Sequence, residues 1–238
     1  MNSPLIDKPV MIITGTRKGI GNYLAKYYTD KGFCIIGCSR DDIDFELDNY
    51  QHYCLDISDE PSVKKMFAEI RKKYGRLDIL INNAGVNYAL SPLLLVPYES
   101  ALKTIKINLL GTFLMSREAV KIMMKKSFGR IINFGSMAVK HEVKGEAIYT
   151  ASKAAIISFT RVIAKEVYSY GITCNVLSPS AIDTDLMKNV NNDALNEVLS
   201  RNVIPDVGKI EDVSHTIDWL IKPNSLAITG QNIYLGGV

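Results

Sequence analysis

The sequence has 238 residues, of which 47% are hydrophobic and 22% are charged, a composition typical of a folded chain with a large core. Its 28 lysines and arginines exceed its 25 acidic residues by only three. This excess is too small for a surface that neutralises many phosphates, so no nucleic acid partner is expected. The sequence has neither an apolar run of about 18 residues nor a signal-peptide pattern, which predicts a cytoplasmic protein without membrane association.

Short apolar runs alternate with helical patterns along the whole chain. Strands are predicted at 10–14, 33–38, 51–55, 78–82, 130–135, 172–177 and 231–235, and helices at 19–31, 60–74, 99–126, 149–169, 186–200 and 211–221. This alternation predicts an α/β fold with a doubly wound parallel sheet and helices on both faces. No linker or repeat divides the chain, so residues 1–238 are expected to form a single domain. The irregular stretch 186–210 is expected to be a mobile flap over a site.

A glycine-rich turn joins the first predicted strand to the first predicted helix. Gly15, Gly19 and Gly21 lie there, and glycine permits a tight turn and the close approach of a pyrophosphate. The N–H groups at the start of the helix can then bind the phosphates. The spacing is looser than the G-x-G-x-x-G fingerprint, so a purely structural turn is the alternative.

The residues about 20 positions after this turn bear on the choice of cofactor. In NAD-binding units an acidic residue there binds the ribose 2′-OH, whereas an arginine accommodates the 2′-phosphate of NADP. The sequence instead has a hydroxyl and an arginine there, and two cations in the loop itself: Ser39, Arg40, Arg17 and Lys18. NADP(H) is therefore favoured over NAD(H), although Asp41 and Asp42, which follow directly, argue for NAD(H).

A tyrosine, a lysine and a serine form a candidate catalytic group. Tyr149 and Lys153 are four residues apart on a predicted helix and so share one face. A cation beside the phenol would lower its pKa, so that Tyr149 could exchange a proton with a carbonyl or alcohol oxygen. Ser136 follows the fifth strand, at the edge where open α/β sheets bind ligands. Each pattern alone is commonly structural, and the weight comes from their joint occurrence with the glycine turn.

Cysteine and histidine spacing gives no sign of a metal site. The four cysteines and three histidines are Cys34, Cys38, Cys54, Cys174, His52, His141 and His215. They contain no C-x-x-C pair and no histidine at ligand spacing from a cysteine. Small buried thiols are expected rather than a disulfide, and no metal is predicted.

Taken in order, these motifs resemble the short-chain dehydrogenase/reductase family from Val10 to Gly237. The matching segments are Thr14–Gly21, Leu55–Ile57, Asn82–Gly85, Asn108, Ser136, Tyr149–Lys153 and Pro179–Thr184. The resemblance implies a Rossmann-like sheet of seven strands in the order 3-2-1-4-5-6-7, and a catalytic set of Asn108, Ser136, Tyr149 and Lys153. Tyr149 would be the general acid in reduction, and Lys153 would lower its pKa and bind the nicotinamide ribose. Ser136 would hold the carbonyl, and Asn108 would bind a water that links Lys153 to solvent.

The same resemblance implies the cofactor contacts. The pyrophosphate would lie on Gly15, Thr16, Arg17, Lys18, Gly19, Ile20 and Gly21, and the 2′-phosphate on Ser39 and Arg40. Adenine would contact Asp56 and Ile57, the ribose would contact Asn83, Ala84, Gly85, Tyr149 and Lys153, and the carboxamide would contact Pro179, Ile182 and Thr184. Ser180 stands where the family usually has glycine, which adds a side chain near the nicotinamide.

Within the family, the pattern is most similar to the 3-oxoacyl-acyl-carrier-protein reductases. The step of 13 residues from Ser136 to Tyr149 and the ending Ile228–Gln231 match them. Reductases that serve an acidic carrier protein often have arginines near the positions of Ser127 and Tyr170, and this chain lacks them. The substrate is thus either an acyl thioester or a small-molecule carbonyl.

Two alternatives stay open. The first is a specialised ketoreductase for a sugar, polyol or secondary-metabolite ketone, with specificity in 137–148 and 186–210. In that case His141, Glu142, Lys144 and Glu146 are candidates to contact a polar substrate. The second is a non-catalytic, NADP(H)-binding regulatory protein. A homotetramer or homodimer is expected, paired through the helices that carry Asn108 and Tyr149.

Overall fold

Seven strands form the centre of the molecule, in a computed structural model that describes residues 8–182 and 199–237. They are β1 Val10–Thr14, β2 Cys34–Ser39, β3 Tyr50–Cys54, β4 Ile79–Asn82, β5 Gly129–Phe134, β6 Ile172–Ser178 and β7 Asn232–Tyr234. All pair in parallel, in the order β3-β2-β1-β4-β5-β6-β7. The predicted sheet and strand order are confirmed.

The central strands are buried on both faces, which is why their sequences are continuous apolar runs rather than alternating ones. Every residue of β1, β4, β5 and β6 is buried, whereas the edge strand β3 is half-buried or exposed. Successive side chains of β1 point to opposite faces of the sheet. Val10 and Ile12 belong to the hydrophobic core on one face, and Met11 and Ile13 belong to the core on the other. The sheet therefore carries a hydrophobic layer on each side.

Helices cover both layers. They are α1 Gly19–Asp30, α2 Glu60–Tyr74, α3 Tyr98–Ile105, α4 Thr112–Met123, α5 Ala138–His141, α6 Ala147–Val167 and α7 Ile210–Leu220. Side chains of α1 and α7 pack on one face, and those of α2, α4 and α6 pack on the other. Among the described residues, none of the helices combines the length and apolarity needed to cross a membrane.

The predicted helix 99–126 is wrong in one respect, because the chain there is not one continuous α-helix. A π-helical turn, Lys106–Gly111, separates α3 from α4, and a 3-10 turn follows at Met124–Lys126. The π-helical turn brings Gly111 against Ile57, where a β-carbon would lie only 2.7 Å from the isoleucine side chain. Contacts with other elements therefore set this geometry, and π-helical turns often accompany functional sites.

The predicted helix and flap at 186–210 can be compared with the structure only at their end. Residues 186–198 lie outside the described residues, and 199–208 are irregular apart from a short turn. Ile182 and Gly208 pair as an isolated parallel bridge. This bridge ties the end of that stretch to the chain that leaves β6.

Candidate active site

The carboxyl ends of the strands open into a cleft of about 670 Å³. One end is the glycine turn between β1 and α1, and the other holds Ser136 and Tyr149. Seventeen of the predicted site residues line it: Gly15, Arg17, Lys18, Gly19, Ile20, Ser39, Arg40, Asp56, Ile57, Asn83, Ala84, Gly85, Ser136, Tyr149, Lys153, Pro179 and Ile182. The sequence thus predicts most of the residues that the fold brings together here.

Three predicted site residues do not line the cleft. Thr16 is fully buried, with its hydroxyl 2.8 Å from the Tyr50 hydroxyl. Gly21 packs beneath the turn, where a β-carbon would lie 2.3 Å from the Gly15 carbonyl oxygen. Asn108 is 1% exposed. These three residues support the walls of the site from behind, and a fourth predicted residue, Thr184, lies outside the described part of the chain.

The glycine turn fits a dinucleotide pyrophosphate. Gly15 has φ +77°, a left-handed conformation that favours glycine. Lys18 occupies the N-cap of α1 without a side-chain capping hydrogen bond, so the first N–H groups of the helix are left for a phosphate. Asn83 donates a hydrogen bond to the Thr14 carbonyl (2.9 Å), and the Ala84 N–H donates to the Thr14 hydroxyl (2.9 Å), which fixes the turn to the end of β4.

Arg17, in the glycine turn, and Arg40, at the end of β2, are already engaged. The Arg17 guanidinium forms an ion pair with Asp41 at 2.7 Å, and that of Arg40 donates to the Tyr88 hydroxyl at 2.8 Å. Ser39 donates its hydroxyl proton to the Asp41 carbonyl at 2.7 Å, so this hydroxyl is not free to donate to a 2′-phosphate. The positive charge expected here is present, and part of it is neutralised by Asp41.

Asp56 and Ile57 lie between β3 and α2, at the edge of the cleft. One carboxylate oxygen of Asp56 accepts hydrogen bonds from the N–H and the hydroxyl of Ser58, at 2.8 and 2.7 Å. Ile57 is buried against Gly111. Asp56 therefore stabilises the turn into α2 as well as facing the cleft, and its contact with adenine stays a prediction.

Sequence spacing did not reveal one cluster of potential metal ligands. Ligand atoms of Asp42, His52 and Cys54 lie within 4.8 Å of one another. However, both ring nitrogens of His52 are hydrogen-bonded, to the hydroxyls of Tyr50 (2.8 Å) and Ser39 (2.9 Å). Burial also lowers the pKa of His52. The imidazole thus serves as a neutral hydrogen-bonding group that links β2 and β3.

Tyr149 and Lys153 lie one turn apart on α6, as predicted. The Lys153 ammonium is 5.8 Å from the centre of the Tyr149 ring and donates to the Phe134 carbonyl oxygen at 2.8 Å. Ser136, just after β5, forms a side-chain hydrogen bond with Tyr149 and accepts one from the Ala138 N–H at 3.1 Å. The phenol, the ammonium and the serine hydroxyl therefore converge on one end of the cleft.

The pKa of Tyr149 differs from the prediction. Burial raises this pKa, the hydrogen bond with Ser136 lowers it, and the charge of Glu146 raises it, with a net increase. The Lys153 ammonium is hydrogen-bonded to the Phe134 carbonyl oxygen and not to the phenol. Burial lowers the pKa of Lys153 to about 8. The tyrosine hydroxyl is thus protonated at neutral pH, next to a lysine that is still largely cationic.

Asn108 holds Tyr149 in place through a chain of hydrogen bonds. Its side-chain oxygen accepts from the Val86 N–H (2.8 Å), and its nitrogen donates to the Val86 carbonyl (2.9 Å) and to the Ser152 hydroxyl (2.9 Å). Ser152 in turn donates to the Tyr149 carbonyl at 2.7 Å. The Asn108 side chain is therefore used for positioning, and Ser152 is a supporting residue that sequence analysis missed.

The wall beyond Ser136 and Tyr149 is mostly apolar, and among the described residues it contains one carboxylate. Its other residues include Val86, Asn87, Met137, Ala138, His141 and Val143. The carboxylate is that of Glu146, which accepts a hydrogen bond from the Asn87 amide at 3.2 Å. Of the four polar residues predicted before Tyr149, His141 and Glu146 line the cleft, whereas Glu142 and Lys144 are exposed outside it. Asn87 was missed, although it lies only two residues after the Asn82–Gly85 motif at the end of β4.

This fold and this site define a short-chain dehydrogenase/reductase. A family model described as short chain dehydrogenase matches residues 9–195, and the chain belongs to this family of oxidoreductases. The predicted resemblance is confirmed. The chain is 33% identical to 3-oxoacyl-(acyl-carrier-protein) reductase FabG of Buchnera aphidicola subsp. Schizaphis graminum (strain Sg), over 98% of this chain and 97% of the relative.

Two solved structures illustrate the range of similar folds. ElxO with NADP bound has a TM-score of 0.87 and 28% identity, over 95% of this chain and 96% of that one. 4-Hydroxyisoleucine dehydrogenase complexed with NADH has a TM-score of 0.86 and 28% identity, over 97% of this chain and 98% of that one. Similar folds therefore bind either dinucleotide, so the fold alone does not fix the cofactor preference.

Proposed function

We propose that this protein is an NADP(H)-dependent oxidoreductase that interconverts a carbonyl and a secondary alcohol. The observation that carries the proposal is the convergence of Ser136, Tyr149 and Lys153 at one end of a cleft whose other end is a phosphate-binding turn. A nicotinamide dinucleotide, when bound along this cleft, supplies or accepts the hydride. Retention of all three side chains argues against a purely regulatory, non-catalytic protein.

In this proposal Tyr149 is the general acid during reduction. Its raised pKa keeps the hydroxyl protonated at neutral pH, so it can give its proton to the carbonyl oxygen as the alcohol forms. Ser136 hydrogen-bonds Tyr149 and therefore lies beside the same oxygen, which it can orient. The nearby ammonium of Lys153 stabilises the negative charge left on the phenolate. Asn108 acts through Ser152 on the position of Tyr149.

Positive charge in the glycine turn and at the end of β2 supports NADP(H) over NAD(H). Arg40, Arg17 and Lys18 line that part of the cleft, and arginine suits the planar recognition of phosphate. The acid that lines it, Asp41, is paired with Arg17 rather than free to accept from a ribose hydroxyl. Asp42 does not line the cleft.

The relatives and the site favour different substrates. The 33% identity to a 3-oxoacyl-(acyl-carrier-protein) reductase supports a 3-oxoacyl thioester. In this chain, however, Ser127 and Tyr170 are exposed where such reductases often present arginines to an acidic carrier. The carboxylate of Glu146 in the substrate wall supports the second candidate, a small polar ketone.

Association into a homodimer or homotetramer is part of the proposal. The surface of α3, α4 and α6 exposes apolar side chains that include Leu102, Phe113 and Val162, and such side chains suit helix pairing between copies. Location in the cytoplasm is likewise proposed, on the sequence pattern alone.

The test of the function is the oxidation of NADPH in the presence of a panel of carbonyl compounds. The panel contains an acetoacetyl thioester, a long-chain 3-oxoacyl carrier-protein conjugate, a keto-sugar and a simple cyclic diketone. Preference for the conjugate would assign the acyl-reductase function, and turnover of the free ketones alone would assign a specialised ketoreductase. NADPH binding without turnover of any carbonyl compound would contradict the proposal.

A further inference from the structure

Glu146 lies where a substrate for the proposed reaction would extend away from the reacting oxygen. It is the residue before α6 and stands three positions, about one helical turn, before Tyr149. Its side chain lines the same end of the cleft as Ser136 and Tyr149. The carboxylate of Glu146 is therefore placed to contact the substrate rather than the adenosine half of a dinucleotide.

The carboxylate of Glu146 is half-buried and has no cation beside it in the described part of the chain. Its one described side-chain hydrogen bond comes from the Asn87 amide, at 3.2 Å, and the buried Lys153 ammonium is directed to the Phe134 carbonyl instead. Burial raises the pKa of Glu146, and the bond from Asn87 lowers it. Withdrawing an acid from water without an ion pair destabilises a fold, and such groups concentrate at functional sites.

The surroundings of this carboxylate define what it can bind. An ionised carboxylate only accepts hydrogen bonds, and it offers about four acceptor positions, of which Asn87 uses one. The same wall contains the apolar residues Val86, Met137, Ala138 and Val143, together with His141, whose Nε2 is hydrogen-bonded to Asn202. Apolar surroundings strengthen a hydrogen bond to the carboxylate, and they increase the free-energy cost of leaving the carboxylate without a partner.

We infer that Glu146, oriented by Asn87, is the specificity-determining acceptor for a hydrogen-bond donor on the substrate. The substrate is then a ketone or alcohol that carries a hydroxyl or ammonium group close to the reacting carbon. This inference rests on the proposed function and narrows its substrate class. A purely aliphatic ketone leaves the acceptor unpaired and is disfavoured, and a substrate with a carboxylate at this point is repelled.

The experiment uses matched ketones that differ in one group. Hydroxyacetone, aminoacetone and butanone share the acetyl end and carry a hydroxyl, an ammonium and a methyl group, respectively. A second set has one more methylene between the carbonyl and the terminal group, to vary the reach. The value of kcat/KM for each ketone, with NADPH, is measured for the wild type, Glu146→Gln and Glu142→Gln. For ketones that are not reduced, the inhibition constant against the best substrate is measured instead. Glu142→Gln is the control, because it makes the same charge change on an exposed side chain outside the cleft.

The wild type is expected to prefer a donor-bearing ketone over its methyl counterpart by about tenfold to hundredfold, as for a hydrogen bond to a charged group. Glu146→Gln is expected to remove most of that preference and to reduce use of the ammonium compound most, whereas Glu142→Gln keeps the preference of the wild type. Preference for the hydroxyl or for the ammonium identifies which donor the substrate carries.

Two outcomes would overturn the inference, and they are distinguishable. If the wild type reduces ketones but does not favour a donor, or if Glu146→Gln lowers all members equally, Glu146 is not a specificity residue and the proposed function stands. If no carbonyl compound is reduced at all, the proposed function fails together with this inference.

Discussion

At the scale of single residues, the environment of Tyr149 sets a direction for the pH dependence. Burial raises its pKa above the ordinary value of about 10. Alcohol oxidation needs the phenolate as a base, so its rate should increase as the pH rises from about 7 to about 10. Ketone reduction needs the protonated hydroxyl and should not increase over this range. Steady-state rates in both directions check this, and an oxidation rate that falls with rising pH would contradict it.

The charge of Glu146 also raises the pKa of Tyr149. It is a smaller influence than burial, which raises this pKa, and than the hydrogen bond with Ser136, which lowers it. Replacing Glu146 by glutamine removes this charge and leaves the other two influences in place. The rise in the oxidation rate should therefore begin at a lower pH in Glu146→Gln than in the wild type. An unchanged profile would mean that the carboxylate does not act on the phenol.

Arg40 tests the cofactor preference. Its guanidinium can exchange the Tyr88 hydroxyl for a 2′-phosphate. Arg40→Ala is expected to weaken NADPH binding by about 1–3 kcal/mol and to leave NADH binding nearly unchanged. Dissociation constants from nucleotide fluorescence would measure both effects. As a matched control, Asp41→Asn frees Arg17 from its ion pair and should strengthen NADPH binding relative to NADH. Equal losses for both dinucleotides in Arg40→Ala would contradict the assignment.

At the scale of elements, the turn between β1 and α1 depends on close backbone packing. A β-carbon at Gly21 would lie 2.3 Å from the Gly15 carbonyl oxygen, whereas a β-carbon at Gly19 meets nothing within 4 Å. Gly19→Ala should cost only about 1–2 kcal/mol, because its φ of +60° is left-handed. Gly21→Ala should cost more, at least about 2 kcal/mol, and should also weaken dinucleotide binding. Urea unfolding of both variants tests this, and similar losses for the two would show that the packing is not tight.

The break between α3 and α4 illustrates how contacts from other elements override local preference. The residues Lys106–Gly111 continue the helical pattern of their neighbours, so their sequence predicts an uninterrupted helix. The π-helical turn places Asn108 where it reaches both Val86, after β4, and Ser152, on α6. These bonds satisfy buried backbone and side-chain groups that are costly to leave unpaired. Sequence periodicity cannot register such bonds.

At the scale of the whole molecule, the sheet was predictable from sequence because its core strands are buried on both sides. Continuous apolar runs such as Val10–Thr14 identify parallel strands directly. The order of the strands came from the family resemblance and not from the runs themselves. Positions at the carboxyl ends of the strands, such as Ser136, then followed from the general location of ligands in open α/β sheets.

The contacts that tune the site were not predictable, because they join residues far apart in the chain. Thr16 pairs with Tyr50, Arg40 with Tyr88, and Glu146 with Asn87, at separations of 34, 48 and 59 residues. The direction of the Tyr149 pKa depends on such details, since burial and the charge of Glu146 together outweigh the hydrogen bond with Ser136. Motifs thus indicated the candidate reacting groups, and only the fold revealed their electrostatic surroundings.

In the proposed mechanism, Tyr149 transfers the proton in carbonyl reduction. The most direct test compares NADPH oxidation by the wild type, Tyr149→Phe and Tyr98→Phe with the best ketone of the panel, alongside NADPH binding by fluorescence. Tyr98 is 75% exposed and serves as the matched control. Tyr149→Phe should bind NADPH as the wild type does and lose about 10²–10⁴-fold in turnover, and Tyr98→Phe should behave as the wild type. Turnover by Tyr149→Phe close to that of the wild type would contradict the mechanism.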